Sequence, residues 1–167
     1  MPFPLASFGG VVEILGARGP TTDREALLAA ARNQGEVQLL DARVVCGREH
    51  LLAALEHAER AMREGTNVAK SLAVEFLLYA SGERQISAAI AKMGVREDTT
   101  EFAFVRFAGS GAGIPQTLGL AQDDAVLAVT PAKLRSFGLS EAELATVPPV
   151  QQADLILERV ALVDLLK

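Results

Sequence analysis

Three helix-like segments follow one another in the middle of this chain, and each is closed by glycine. Residues 48–64 end at Gly65, residues 67–80 at Ser81-Gly82, and the short segment 86–93 at Gly94. Glycine just past the last periodic residue is the usual helix stop, because it enters the left-handed conformation without a Cβ clash. The first segment carries Leu51, Leu55, Ala58 and Met62 on one face. The second turns Leu72, Ala73, Phe76, Leu77 and Ala80 inward, and the third Ile86, Ala89, Ile90 and Met93. Such a run of helices needs something apolar to pack on. The flanks offer strands at residues 11–15, 37–40 and 102–107, the last with Phe102, Phe104 and Arg106 on one side. Between the first two strands, Thr22 and Glu25 stand at capping-box spacing, and Gly35 closes the helix they open. Strands alternating with helices, plus consecutive helices in the middle, predict an α/β fold. We expect a single-domain sandwich over residues 1–167, with a mixed β-sheet and packed helices.

The remaining third reads as short elements. Residues 125–129 are strand-like. Thr130 as N-cap, with Pro131 at the first helical position, opens a helix closed by Gly138. Ser140 and Glu143 form a second capping box. After Pro148-Pro149 a final helix runs over residues 151–166. Its Leu155, Ile156, Leu157, Val160, Leu162, Val163, Leu165 and Leu166 cover more than one stripe, so it needs cover on two sides. Its own core and a partner's surface are both open as that cover.

Composition excludes several classes. Of 167 residues, 50% are hydrophobic and 22% charged, which is too apolar for a disordered chain. No uninterrupted apolar run approaches the roughly 20 residues that span a bilayer, and the opening stretch has no basic flank before Arg18. The expected location is therefore cytoplasmic, with no membrane partner. The single Cys46 cannot pair within the chain and reads as a small buried core residue. A net charge of −5 argues against broad electrostatic attraction to nucleic acid. The local balance differs, since residues 68–96 carry Lys70, Arg84, Lys92 and Arg96 against only Glu75 and Glu83.

No catalytic or metal-binding set emerges. The Gly109-Ser110-Gly111-Ala112-Gly113 loop lacks the Gly-Lys-Ser/Thr of a phosphate loop, and Ile114 stands where a dinucleotide fingerprint wants a small residue. A surface turn is expected there. His50 and His57 are seven residues apart, beyond the spacing of a zinc helix. His50 reads as a packing or capping residue and His57 as a solvated one. Ser71, Ser81 and Ser87 have no nucleophile-elbow context. The expectation is no enzymatic activity, no cofactor and no metal.

The residues that stand out form ordered motifs. These are Leu39-Leu40-Asp41-Ala42 with Val44-Val45, then His50-Leu51, then Asn67-Val68-Ala69-Lys70-Ser71-Leu72. Glu75-Phe76-Leu77-Leu78-Tyr79-Ala80-Ser81-Gly82 and Arg84-Gln85-Ile86 come next, followed by Ala89-Ile90 and Met93-Gly94-Val95. Together with the ending Glu158-Arg159-Val160-Ala161-Leu162-Val163-Asp164-Leu165, they resemble the small KEOPS subunits of archaeal type, the family of the PRPK-binding protein. The likeness covers about residues 37–105 and the last helix, while residues 109–149 carry no aligned motif.

That resemblance implies a non-catalytic subunit of the complex that makes N6-threonylcarbamoyladenosine in tRNA. Its implied partners are the complex's small atypical kinase, indirectly the sugar-kinase-like ATPase, and the unpaired 3′ CCA end of tRNA. RNA contact carries over to Asn67, Lys70, Ser71, Ser81, Gly82, Arg84, Gln85 and Ile86. Their chemistry agrees: the segment is locally basic and rich in donors, and Ile86 offers an apolar surface to a base. For the kinase we expect Val160, Val163 and Leu166 on the terminal helix. The competing reading is a stand-alone small-molecule-binding or hydrolytic domain that uses the 109–113 loop.

Overall fold

The computed structural model describes residues 2–4, 11–108 and 113–167, with side chains left out at 2–4, 11 and 108. In chain order the strands and helices are β1 (Pro2–Pro4), β2 (Val11–Arg18), α1 (Arg24–Arg32), β3 (Glu36–Asp41), α2 (Arg48–Glu64), α3 (Leu72–Ser81) and α4 (Ile86–Met93). There follow β4 (Glu101–Ala108), α5 (Ile114–Thr117), β5 (Ala121–Gln122), α6 (Pro131–Phe137), α7 (Glu141–Leu144) and α8 (Asp154–Leu166). Single 3₁₀ turns occupy Ala42–Val44, Asp124–Leu127 and Pro149–Gln151. The protein is α/β, as expected. It divides into two compact units, Met1–Arg43 with Gly94–Leu127, and Val44–Met93 with Ala128–Lys167.

The first unit holds the sheet. Its order is β1-β2-β4-β3, with β5 also on β2, and every described strand pairing is antiparallel. This corrects the expected mixed sheet, and the register supplies the reason. Asp41 lies opposite Phe102, so the chain leaves β3 and returns into β4 at the same end of the sheet. A connection that returns to the end it left gives an antiparallel pair however long it is. Ala17, Leu39, Phe102 and Phe104 pack with Leu27 and Ala31 of α1 and with Ile114 and Leu120 in one buried cluster. On β4, Arg106 follows the same alternation and is buried too, ion-paired with Glu13, its direct neighbour on β2. Gly16 is required by close approach, because a Cβ there would meet the Asp123 carbonyl at 2.4 Å.

Two local expectations shift in this unit. The cap of α1 is Asp23, whose carboxylate accepts the Ala26 N–H at 3.0 Å, so Thr22 and Glu25 form no capping box. A carboxylate at a helix N-terminus gains from the helix dipole as well as from the hydrogen bond. Residues 125–129 form no strand. Asp123 accepts the Ala125 N–H at 3.1 Å and Asp124 the Gly16 N–H at 2.8 Å, and these side-chain bonds close a 3₁₀ turn that buries Val126 and Leu127.

The second unit is helical, with α3 at its centre, packed by α2, α4 and α8. α2 has the expected bounds and ends in left-handed Gly65. α3 starts later than residue 67, because Ser71 caps it by accepting the Val74 N–H. A second cluster joins Cys46, Leu134, Phe137, Leu139, Leu144 and Ile156. The caps at Thr130 and Ser140 form as expected, the latter with both capping-box bonds to Glu143.

Candidate functional site

The eight residues expected to meet RNA divide between the two ends of α3. Asn67, Lys70 and Ser71 precede its first turn, Ser81 ends its last, and Gly82, Arg84, Gln85 and Ile86 follow. Ten helical residues put about 15 Å between the groups. The structure therefore offers two small surfaces in place of one cluster.

At the far end, Gly82 adopts φ 70° as C-cap, and its N–H closes on the Leu78 and Tyr79 carbonyls. Ser81 is fully buried. Its hydroxyl donates to the Leu78 carbonyl at 3.0 Å and accepts the Glu83 N–H at 3.2 Å, so it builds the turn and offers nothing outward. Lys92 braces the same turn. Its ammonium donates to the Ser81 carbonyl at 2.7 Å, lies 3.6 Å from Glu83, and stands 3.8 Å above the Phe137 ring. Burial pushes its pKa down, against the pull of Glu83. What the turn presents to solvent is Arg84, Gln85 and Ile86. No carboxylate among the described residues pairs with Arg84, so its guanidinium fork is available. Ile86 and Ile90, one helical turn apart on α4, form an exposed apolar strip beside it.

At the near end, Lys70 is exposed and likewise has no carboxylate partner among the described residues. Asn67 and Ser71 are half-buried and engaged, Asn67 with the Ala69 carbonyl at 2.8 Å and Ser71 as the α3 cap. The backbone here is gripped from below by Glu75, which is fully buried and accepts the Val68 N–H at 3.0 Å and the Ala69 N–H at 2.8 Å.

α8 resolves its two stripes. Ile156, Val160 and Val163 are fully buried, at i, i+4 and i+7, within the chain's own unit. This corrects the expectation for Val160 and Val163, which present no surface to a partner. Leu166 is 47% exposed, and Leu162 at 45% and Leu165 at 80% join it outside. A helix end showing three leucines to water is an apolar patch of the kind that marks interaction sites.

A polar network that the sequence reading did not foresee joins α2, α3 and α8. Tyr79 donates to Asp164, Arg60 reaches the same carboxylate at 2.8 Å, and His57 Nδ1 lies 2.8 Å from it. Burial opposes ionisation of Asp164, but the bonds from Tyr79, His57 and Arg60 outweigh it and hold the carboxyl below its usual range. Lys167 bonds Glu75 and the Tyr79 hydroxyl, the latter at 2.8 Å. His57 is thus a network member leaning on Tyr79, at 5.4 Å between ring centroids, and its expected solvated role is corrected. The signal in the sequence was Glu75 itself, a lone acid inside an apolar helix that must find a partner.

His50 is buried, as a packing or capping residue should be. Its Nδ1 accepts the Cys46 N–H at 3.0 Å, and its Nε2–H donates to the Ala80 carbonyl at 2.7 Å. Burial pushes its pKa down to about 4 and the buried Cys46 thiol up to about 11. Among the described residues no group of three or more His, Cys, Asp or Glu is placed to hold a metal, and no helix is long and apolar enough to cross a membrane. Of the 109–113 loop only Gly113 lies within the described residues.

Fold and surface together define an α/β protein whose outward features are an apolar helix end and a donor-rich turn. Residues 21–145 match the family model described as kinase binding protein CGI-121, and the chain belongs to that family. No curated protein matches the chain.

Proposed function

We propose that this kinase-binding-family protein is a non-catalytic KEOPS subunit over residues 1–167, acting in the cytoplasm. It binds the complex's small kinase, and through it the sugar-kinase-like ATPase, and holds the 3′ CCA end of tRNA during N6-threonylcarbamoyladenosine formation. The observation that carries the RNA reading is the Arg84-Gln85-Ile86 turn. It is exposed, locally basic, without a competing carboxylate, and continued by the apolar Ile86–Ile90 strip. Arg84 can fork onto phosphate oxygens, Gln85 can meet a base edge, and a base face can lie on the isoleucines. Lys70 adds a charge at the other end of α3, and an extended three-nucleotide end is long enough to approach both. An acidic protein cannot hold a tRNA body by long-range attraction, so a few close contacts must carry recognition and salt dependence should be shallow. The kinase reading takes the outward leucines of α8 as its anchor.

The experiment compares intact tRNA with tRNA trimmed of its CCA end, on wild type and on Arg84→Ala, by fluorescence anisotropy. Trimming should weaken wild-type binding at least tenfold and matter much less to the variant. Equal affinity of wild type for both RNAs overturns the reading.

A further inference from the structure

We propose that Glu75 is a positioning residue that couples the two candidate binding surfaces, tying the 67–70 loop at the RNA side to the end of α8 at the kinase side. The inference rests on the functional reading above for what binds each surface. The tie itself is a matter of geometry.

Glu75 is fully buried, and its two oxygens serve different elements. Oε2 accepts the Val68 and Ala69 amides, while Oε1 accepts the Lys167 ammonium just beyond α8. Lys167 is held there further by the Tyr79 hydroxyl at 2.8 Å and by the Tyr79 ring, whose centroid is 4.2 Å away. Its side chain is only 10% exposed. Loop and helix end also meet in one groove of about 500 Å³, lined from α2 by Arg60, Ala61 and Glu64, from the loop by Thr66 and Val68, and from the α8 end by Asp164 and Lys167.

A buried carboxylate facing two amides and one ammonium is a shared resource. While Lys167 is seated, the charge on Glu75 is compensated and its bonds to Val68 and Ala69 are charge-assisted and firm. When the last turn of α8 opens, as helix ends do, Lys167 leaves and the burden falls on the loop amides alone. A partner that clamps the outward leucines of α8 favours the seated state. It thereby favours the loop arrangement that presents Lys70. Binding at either surface then changes affinity at the other by the same factor, as linkage requires.

The test uses the full chain, the KEOPS small kinase and an RNA oligonucleotide ending in CCA. With wild type, kinase should tighten RNA binding several-fold, and RNA should tighten kinase binding equally. In Lys167→Met each partner still binds alone, the mutual factor falls to about one, and the Val68 and Ala69 amides exchange about tenfold faster while Leu51 and Leu55 on α2 exchange as before. Glu75→Gln, which keeps the side-chain volume, should lose the coupling in the same way. Unchanged exchange at Val68 and Ala69 in Lys167→Met overturns the tie, whether or not RNA binds. Faster exchange with an undiminished mutual factor overturns the coupling. A wild type that binds neither RNA nor kinase overturns the functional reading, and the exchange comparison still reports separately on the Glu75 tie.

Discussion

Val163 and Leu165 stand two residues apart on α8 and should answer to different assays. Val163 is fully buried and Leu165 is 80% exposed. Val163→Ala removes two buried carbons, at about 0.8 kcal/mol each, and leaves a small cavity, for a cost of about 2 kcal/mol. In a chain of this size that lowers the melting temperature by about 4–8 °C. Leu165→Gln disturbs almost no buried area and should change stability by less than about 0.5 kcal/mol. If the outward leucines anchor the kinase, its loss costs about 2 kcal/mol of binding, or roughly thirtyfold in affinity. Scanning calorimetry measures the first effect and titration calorimetry with the kinase the second. Val163→Ala that melts like wild type yet weakens the kinase, with Leu165→Gln doing the reverse, would show that the two faces of α8 have been assigned the wrong way round.

Three further outcomes are expected. Arg84→Ala should weaken binding of CCA-ended RNA about tenfold, the worth of one charge-assisted contact, while the melting temperature moves by no more than about 2 °C. An equal fractional loss of folded protein and of binding would mean that Arg84 only braces the turn. His50 has its pKa lowered to about 4 in the folded state, so the unfolded chain binds the extra proton between about pH 6.5 and pH 4. Stability should therefore be full above pH 6.5 and fall through that window by about 3 kcal/mol, seen as a lower urea midpoint at pH 4.5 than at pH 7, with a flatter profile in His50→Gln. Cys46, buried and with its pKa raised to about 11, should resist a thiol reagent at pH 8 and react fully once urea unfolds the chain; rapid labelling of native protein would contradict its burial.

Sequence pattern reached furthest where structure is local. The stops at Gly65, Gly82 and Gly138, the Thr130 and Ser140 caps and the span of α2 are each decided within a few residues and stand in the fold, whereas α1 ends at Arg32 on an Asn33 cap, before the expected Gly35. It failed where two local solutions competed. Thr22 had the capping-box partner in Glu25, but Asp23 offered a full charge to the helix end and won. The apolar stretch 125–129 matched a strand until Asp123 took the Ala125 amide and Asp124 that of the sequence-distant Gly16. Strand direction was beyond reach because β2 and β4 meet across the chain, with Glu13 opposite Arg106. On α8 the stripes were visible but not their sides. Ile156, Val160 and Val163 turned inward and Leu162, Leu165 and Leu166 outward, a distinction that hydrophobicity alone does not make. Of the RNA candidates, Lys70, Arg84, Gln85 and Ile86 are exposed, whereas Ser81 was consumed by the turn it helps to build.

The place of β4 in the sheet bears on how the protein is made. β2 and β3 are not neighbours; each pairs with β4, which begins at Glu101. A ribosome delivering this chain from its N-terminus therefore releases both early strands long before the one that joins them, since the whole of Val44–Met93 is synthesised in between. At about 5–20 residues per second that interval lasts seconds, during which β2 and β3 lack the partner they share and Ile14, Leu39 and Leu40 have unburied side chains. Nascent chains stalled before residue 101 should thus be the form most prone to aggregate and most dependent on chaperone cover, whereas release of β4 should close both seams at once.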